Sequence, residues 1–393
     1  MALSLAAILI LGLVFNKFFE LIKLPGLLGM LILGIIIGPY ALNFIDPEII
    51  NISSDLRKIA LIIILLRAGF GISRNTLNKV GIPAIKLSFI PGLMEGFAII
   101  LVSMWILNFS FVESGILAFI IAAVSPAVVV PLMLKFIKEK KGHDKGIPTM
   151  ILAGASIDDV FAITIFSLFM GLYGESNLNI PLKIGSIPIS IFLGIGIGIA
   201  AGFILILLFK KIHMRDTKKV LIIISVAILL TTLEDIFQDW VQIASLLGVM
   251  TLSFIILEKL PETAKRLSLK FEKVWVFAEI MLFVLIGAQV NISVALDSGL
   301  KGLLIIACGL LARSIGVLIS TYKTKNKLNR GEILFCMVSY IPKATVQAAI
   351  GAIPLMSGVK NGELILALAV LSIIVTAPLG SIGIKALGNK YLK

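Results

Sequence analysis

The chain has 393 residues, of which 59% are hydrophobic and 15% charged, with a mean hydropathy of +1.10. That much apolar surface excludes a water-soluble globular domain, and apolar runs that continue unbroken for about 20 residues exclude an alternating transmembrane barrel. The net charge of +13 would suit nucleic acid, but its placement along the chain argues for membrane topology instead.

The hydrophobic runs predict about thirteen membrane-spanning helices, at 3–22, 26–45, 55–73, 80–107, 113–134, 147–172, 184–209, 219–233, 241–257, 273–290, 299–321, 331–353 and 362–384. The expected fold class is therefore an all-α polytopic membrane protein. The first run, MALSLAAILILGLVF, has no basic residue ahead of its apolar core, so it is expected to enter from outside as a first helix and not to be a cleaved signal. Alternate connections carry most of the Lys and Arg: Lys17, Lys23, Arg74, Lys79, the runs at 135–145, 210–219, 258–273 and 322–330, and Lys385, Lys390 and Lys393 hold 26 of the 35 basic residues. The opposite connections hold Arg57, Lys58, Lys183, Lys301 and Lys360. This bias predicts an N-terminus outside and a C-terminus in the cytoplasm, with anionic lipid headgroups and not nucleic acid as the partner of the basic loops. His143 and His213 fall in cytoplasmic loops, as solvated residues or as pH sensors. Cys308 and Cys336 lie in spans without metal-ligand spacing.

Two spans are interrupted alike. AAVSPAVVVP carries Pro126 and Pro131, and SYIPKATVQAAIG carries Pro342 followed at once by Lys343. Proline removes a backbone donor and frees carbonyls one turn back, so an unwound backbone is expected at each. With six spans on each side of a seventh, the interruptions fall at corresponding places, the sequence pattern of an inverted-repeat transporter with two discontinuous helices. The chain then divides into a first repeat at 1–172, a linker helix at 184–209 and a second repeat at 219–393. Gly194, Gly198 and Gly202 in the linker allow close helix approach, either within the bundle or at a dimer face.

Charges inside the apolar runs locate the chemistry. Arg67, Lys86, Arg313 and Lys343 lie within spans, and so do Glu95, Asp158, Asp159 and Glu279. A carboxylate at the bilayer centre costs roughly 2.5–3.5 kcal/mol on insertion scales, so two adjacent ones in GASIDDVFAIT require a purpose. Neighbours on a helix point about 100° apart, so one carboxylate can face a cation while the other faces a water-filled cavity; the alternative is that both are structural ion pairs. Desolvation disfavours the charged form of a carboxylate, which near neutral pH can then hold either a proton or a hard monovalent cation. Such a cation takes oxygen ligands, which Asp158, Asp159, Ser125 and freed carbonyls beside Pro126 would supply. Competition between proton and cation at one carboxylate yields antiport. An intramembrane aspartic protease needs its two carboxyls on separate helices, and a channel should show rings of pore-lining polar groups; neither pattern is present.

GASIDDVFAIT, AAVSPAVVVPLML and YIPKATVQAAIG together resemble the sodium/proton antiporters of the cation:proton antiporter superfamily, specifically the NHA branch, and LLARSIGVL resembles the matching exchanger helix. The resemblance covers nearly the whole chain. It implies that Asp159 is the ion- and proton-carrying carboxylate, and that Asp158 is its companion, paired with Arg313. It implies that Ser125 belongs to one crossed, unwound helix, with Lys343 offsetting half-helix dipoles on the other, and that Glu95 is a partner for Arg313. It further implies a homodimer whose core domain moves as an elevator. Gln289 stands where an acid is expected, which leaves the partner of Lys343 open, with Glu279 a candidate. Arginine at 313 cannot release a proton, so one-for-one exchange is expected unless Asp158 itself titrates. The expected activity is exchange of Na⁺ or Li⁺ for H⁺, without a cofactor, in the cytoplasmic membrane of a prokaryote. The alternatives are K⁺/H⁺ exchange on the same fold and sodium-coupled symport of an organic solute.

Overall fold

The computed structural model describes residues 1–71, 74–142, 144–173, 180–237, 243–322 and 328–392; His143, one of the two histidines singled out above, lies outside them. The first third contains α1 (Ala2–Leu21), α2 (Gly26–Ile37), the short α3 (Pro47–Asn51), α4 (Ser53–Gly71), α5 (Arg74–Ile106), α6 (Phe111–Ile121) and α7 (Pro126–Lys138). The middle contains α8 (Ile147–Leu172), α9 (Ile180–Lys211), α10 (Asp216–Phe237), α11 (Ser245–Lys259) and α12 (Pro261–Ala288). The last third contains α13 (Ile292–Asp297), α14 (Gly299–Thr321), α15 (Arg330–Ser339), α16 (Thr345–Ile350), α17 (Ile353–Met356) and α18 (Gly362–Tyr391). Every described element is helical, and each of the thirteen expected runs contains a helix or a broken pair of helices. Among the described residues, seven segments are long and apolar enough to cross a membrane, including Gly81–Ile106, Phe111–Lys138, Ile147–Leu172 and Gly299–Thr321.

The sequence explains the outer surface as well as the core. Large apolar side chains stand outward on several helices, Leu3, Ile10 and Leu21 on α1, Trp105 on α5 and Leu207 on α9. That is the inverse of a soluble surface and is what hydrocarbon solvent permits. Several serines and threonines within the helices return their hydroxyls to the carbonyl one turn back, as Ser103 does to Ile99 and Ser320 to Gly316, so these need no external partner.

The chain forms two compact units, residues 1–57, 78–173 and 280–393 in the first and residues 58–77 and 174–279 in the second. In the first unit α8 packs on α6 and α7, and α18 packs on α15, α7 and α6. There α2 lies against Ile280–Ala288 so closely that a Cβ at Gly34 would meet the carbonyl of Val284, the close approach that small residues give membrane helices. In the second unit the glycine stripe is used internally. Gly194 and Gly198 on α9 face the backbone of Ala244 and Gly248, and Gly202 faces Ile255. Of the two readings of that stripe, packing within the bundle is the one observed.

The two interruptions are both present. Helix α6 ends at Ile121 and α7 starts at Pro126, while α15 ends at Ser339 and α16 starts at Thr345. Pro126 occupies the first position of α7, where its missing N–H is of no consequence. The non-helical segments meet: the Ser125 N–H donates to the Pro342 carbonyl at 2.8 Å, and the Ser125 and Thr345 hydroxyls are 3.3 Å apart. These are two crossed discontinuous helices.

Candidate ion site at the crossed helices

Five ionisable side chains converge beside the crossing and are all buried: Glu95 on α5, Asp158 and Asp159 on α8, Arg313 on α14, and Lys343 between α15 and α16. Each had been singled out by its charge within an apolar run, and with Ser125 the structure brings all of them into one unit. Arg313 Nε donates to Glu95 Oε2 in a very short contact. Lys343 Nζ donates to the same oxygen at 2.7 Å, so one carboxylate bridges two cations. Arg313 also reaches back to Asp158, with Nη1 3.5 Å from Oδ2. Asp158 Oδ2 accepts the Val124 N–H at 2.9 Å, which ties α8 to the first unwound segment.

Lys343 is placed by both ends of its residue. Its N–H donates to the Thr376 hydroxyl at 2.9 Å, and its ammonium is 3.4 Å from the Ala122 carbonyl at the C-terminal end of α6. A cation there complements the negative end of a half-helix. The open question of its partner is answered by Glu95. Glu279, the candidate from the sequence, lies in the other unit, where it interacts electrostatically with Arg67, whose guanidinium stands 5.3 Å from the Trp275 ring. Gln289 donates to Ser53 at 2.5 Å. Lys86, counted among the intramembrane charges, stands exposed on α5.

Asp159 differs from the other four. No ion pair and no hydrogen bond reaches it among the described residues, and its Oδ1 is buried without a partner. Asp158 keeps one oxygen in the same condition, Oδ1. The 100° offset between adjacent helical positions fits the split: Asp158 reaches Arg313 and the Val124 N–H, and Asp159 bonds neither. Counted as charges, three carboxylates meet two cations, leaving one negative charge that a proton or a monovalent cation would neutralise. No group of three or more His, Cys, Asp or Glu side chains able to hold a metal ion occurs among the described residues.

Three neutral residues complete the site and were not singled out in the sequence. The Gln347 amide nitrogen donates to the carbonyls of Ile120, Ile121 and Ala123, at 2.9, 3.3 and 3.0 Å, capping the α6 half-helix that the interruption leaves open. Tyr340 lies 5.8 Å from the Arg313 guanidinium, with its hydroxyl buried and unpartnered. Thr376 receives the Lys343 N–H. A polar amide four residues after Lys343 in an apolar run was the available signal for Gln347; the other two have none.

Outside the spans, the ion pairs of Glu139 and Arg266 are open to solvent. Glu139 is held below the ordinary carboxylate range by its hydrogen bond from Lys141 and the nearby charge of Lys135, and Arg266 donates to Asp216 at 2.9 Å.

A membrane protein of crossed half-helices with a buried carboxylate cluster carrying one negative charge in surplus belongs to the class of secondary ion transporters. A family model described as "Sodium/hydrogen exchanger, transmembrane" matches residues 5–390, and the chain belongs to that family. It is 34% identical over 410 residues to sodium/hydrogen exchanger 9B2 of Mus musculus, covering 96% of this chain and 71% of the relative. To exchanger 9B1 of Homo sapiens it is 30% identical, covering 94% and 73%. Its fold is similar to that of the sodium proton antiporter MjNhaP1 from Methanocaldococcus jannaschii, with a TM-score of 0.85 over 98% of this chain and 97% of that one, at 20% identity. The chain is a sodium/proton antiporter of the cation:proton antiporter superfamily, a transporter and not an enzyme.

Proposed function

We propose that exchange occurs by competition of Na⁺ (or Li⁺) and H⁺ for Asp159. The observation that carries this is the charge arrangement: four of the five buried ionisable groups are paired and Asp159 alone has no cation. A bound proton or a bound Na⁺ each neutralises the same surplus charge, so the two exclude one another. Asp158 Oδ1 and Ser125 supply further oxygens for the cation, and Glu95, Arg313 and Lys343 hold the frame. Because Arg313 stays charged and Glu95 neutralises the second cation, a single exchangeable charge remains. This supports one-for-one exchange, whose rate is indifferent to membrane potential.

The crossing of two matching interruptions supports inverted repeats at 1–172 and 219–393 joined by a linker at 184–209, with alternating access of elevator type. The motif resemblance carries the further expectation of a homodimer. The basic bias supports an N-terminus outside and a C-terminus in the cytoplasm; in the cytoplasmic membrane of a prokaryote, the expected setting, a proton gradient would drive Na⁺ outward.

The test is dequenching of a pH-sensitive dye in proteoliposomes on addition of Na⁺, Li⁺ or K⁺. The expected result is a response to Na⁺ and Li⁺ that Asp159→Asn removes. A response in that variant equal to wild type would refute the mechanism, and a response to K⁺ alone would transfer it to a K⁺/H⁺ antiporter.

A further inference from the structure

We propose that Arg57, with Ser53 and Gln289, forms a binding site for a small monovalent anion of halide type, sharing no residue with the Asp158–Asp159 centre. Arg57 lies on α4 in the first compact unit, with its side chain 1% exposed. A guanidinium does not lose its proton in a protein, so this is a buried permanent cation. Its surroundings are poor for one. Nε donates to the Ser53 carbonyl at 3.2 Å, and Nη2 meets the Met356 thioether at 3.2 Å, a weak acceptor. Nη1 is buried with no partner. No carboxylate pairs with Arg57 among the described residues. Asp55 on the same helix is exposed and lies about 200° round from it. The N-terminal end of α4 also favours negative charge and not positive.

A second unsatisfied group shares the corner. Gln289 donates from Nε2 to the Ser53 hydroxyl at 2.5 Å, the Ser53 hydroxyl is committed to the Ile50 carbonyl at 2.6 Å, and Gln289 Oε1 is buried without a donor. Ser53 therefore ties the two side chains together, its carbonyl accepting from Arg57 Nε and its hydroxyl from Gln289 Nε2, while Nη1 and Oε1 stay unpartnered. Water alone would satisfy the hydrogen bonds and leave the charge uncompensated, the costly condition for a buried ion. A halide accepting from Nη1, with one water donating both to the halide and to Gln289 Oε1, satisfies both groups and offsets the charge. Burial of the Arg57 side chain favours a monatomic ion over a phosphate headgroup, which needs an open rim.

The test is the melting temperature of the purified full-length protein in the sodium salts of chloride, bromide, gluconate and phosphate, at matched Na⁺ and ionic strength. Chloride and bromide are expected to raise it by about 2 °C over gluconate. Arg57→Met should remove that rise. Gln289→Glu, which supplies a fixed carboxylate in the same corner, should also be insensitive to halide and should melt in gluconate near the wild-type chloride value. Equal melting of the wild type in chloride and gluconate, or a halide rise that survives Arg57→Met, overturns the proposal. So does a rise specific to phosphate, which would assign the corner to a phosphate group. If Arg57→Met does not fold, Gln289→Glu decides alone: a halide rise kept in that variant overturns the proposal.

Discussion

Two corners of the first unit bury charge in opposite imbalance. At the crossed helices three carboxylates meet two cations, and the surplus is Asp159. At the start of α4 a guanidinium meets only a carbonyl and a thioether, and the surplus is Arg57. Glu95, Arg313 and Lys343 show what a fixed structural charge looks like in this protein: fully buried, paired at short range, and tied to a half-helix end or an unwound segment. A buried group lacking such partners at a place where water is scarce is where a mobile ion belongs. The sign of the surplus decides which ion.

The sharpest way to break this contrast is to remove the surplus at the crossing. Asp159→Asn leaves two carboxylates against two cations and is expected to abolish cation-dependent proton movement, while keeping the protein folded and its melting temperature at or above that of wild type. Removing a paired charge should do the reverse. Glu95→Gln leaves Lys343 without a carboxylate and Arg313 with Asp158 alone, and is expected to cost about 3–5 kcal/mol of stability, read as a large fall in melting temperature in detergent. Arg313→Ala should cost less than Glu95→Gln, because Glu95 keeps Lys343 and Asp158 keeps the Val124 N–H. A larger loss for Arg313→Ala would contradict the bridging role of Glu95.

Smaller effects sharpen the picture of the crossing itself. Gln347→Leu leaves the three α6 carbonyls without their donor and is expected to cost about 1–3 kcal/mol, measured by the same melting assay. The smallest effect is at the surface. Glu139 is held below its usual value of 4.5 by Lys141, so its contribution to stability is present above that value and is lost as pH falls through the depressed one. Glu139→Gln should therefore shift melting slightly at neutral pH and not at all in acid below the carboxylate range. A difference that grows on acidification would contradict the pairing.

Much of this was legible in the sequence because charge inside an apolar run is expensive and so is never incidental. Asp158, Asp159, Arg313, Lys343 and Glu95 were visible for that reason, and the prolines at 126 and 342 marked the two interruptions. What hydropathy gives is depth along a helix, not the face of the helix. Lys86 lies at membrane depth by sequence yet stands on an exposed face. Arg57, grouped by sequence with the residues of an external connection, turns its whole side chain inward. Partner choice was equally hidden, since Lys343 and Glu95 are 248 positions apart and only the crossing brings them together. Tyr340, Thr376 and Gln347 were missed because neutral polar residues blend into a span, although the amide of Gln347 closes the end of a half-helix.

The central claim is that Na⁺ and H⁺ exclude each other at Asp159, and it is tested most directly at equilibrium, without transport. Na⁺ is added to the purified protein in weakly buffered detergent solution near the midpoint of its activity, and released protons are counted by pH-dye absorbance. The account predicts proton release that saturates with Na⁺ at no more than one proton per chain, and none from Asp159→Asn. Proton release from Asp159→Asn equal to that of wild type would contradict it.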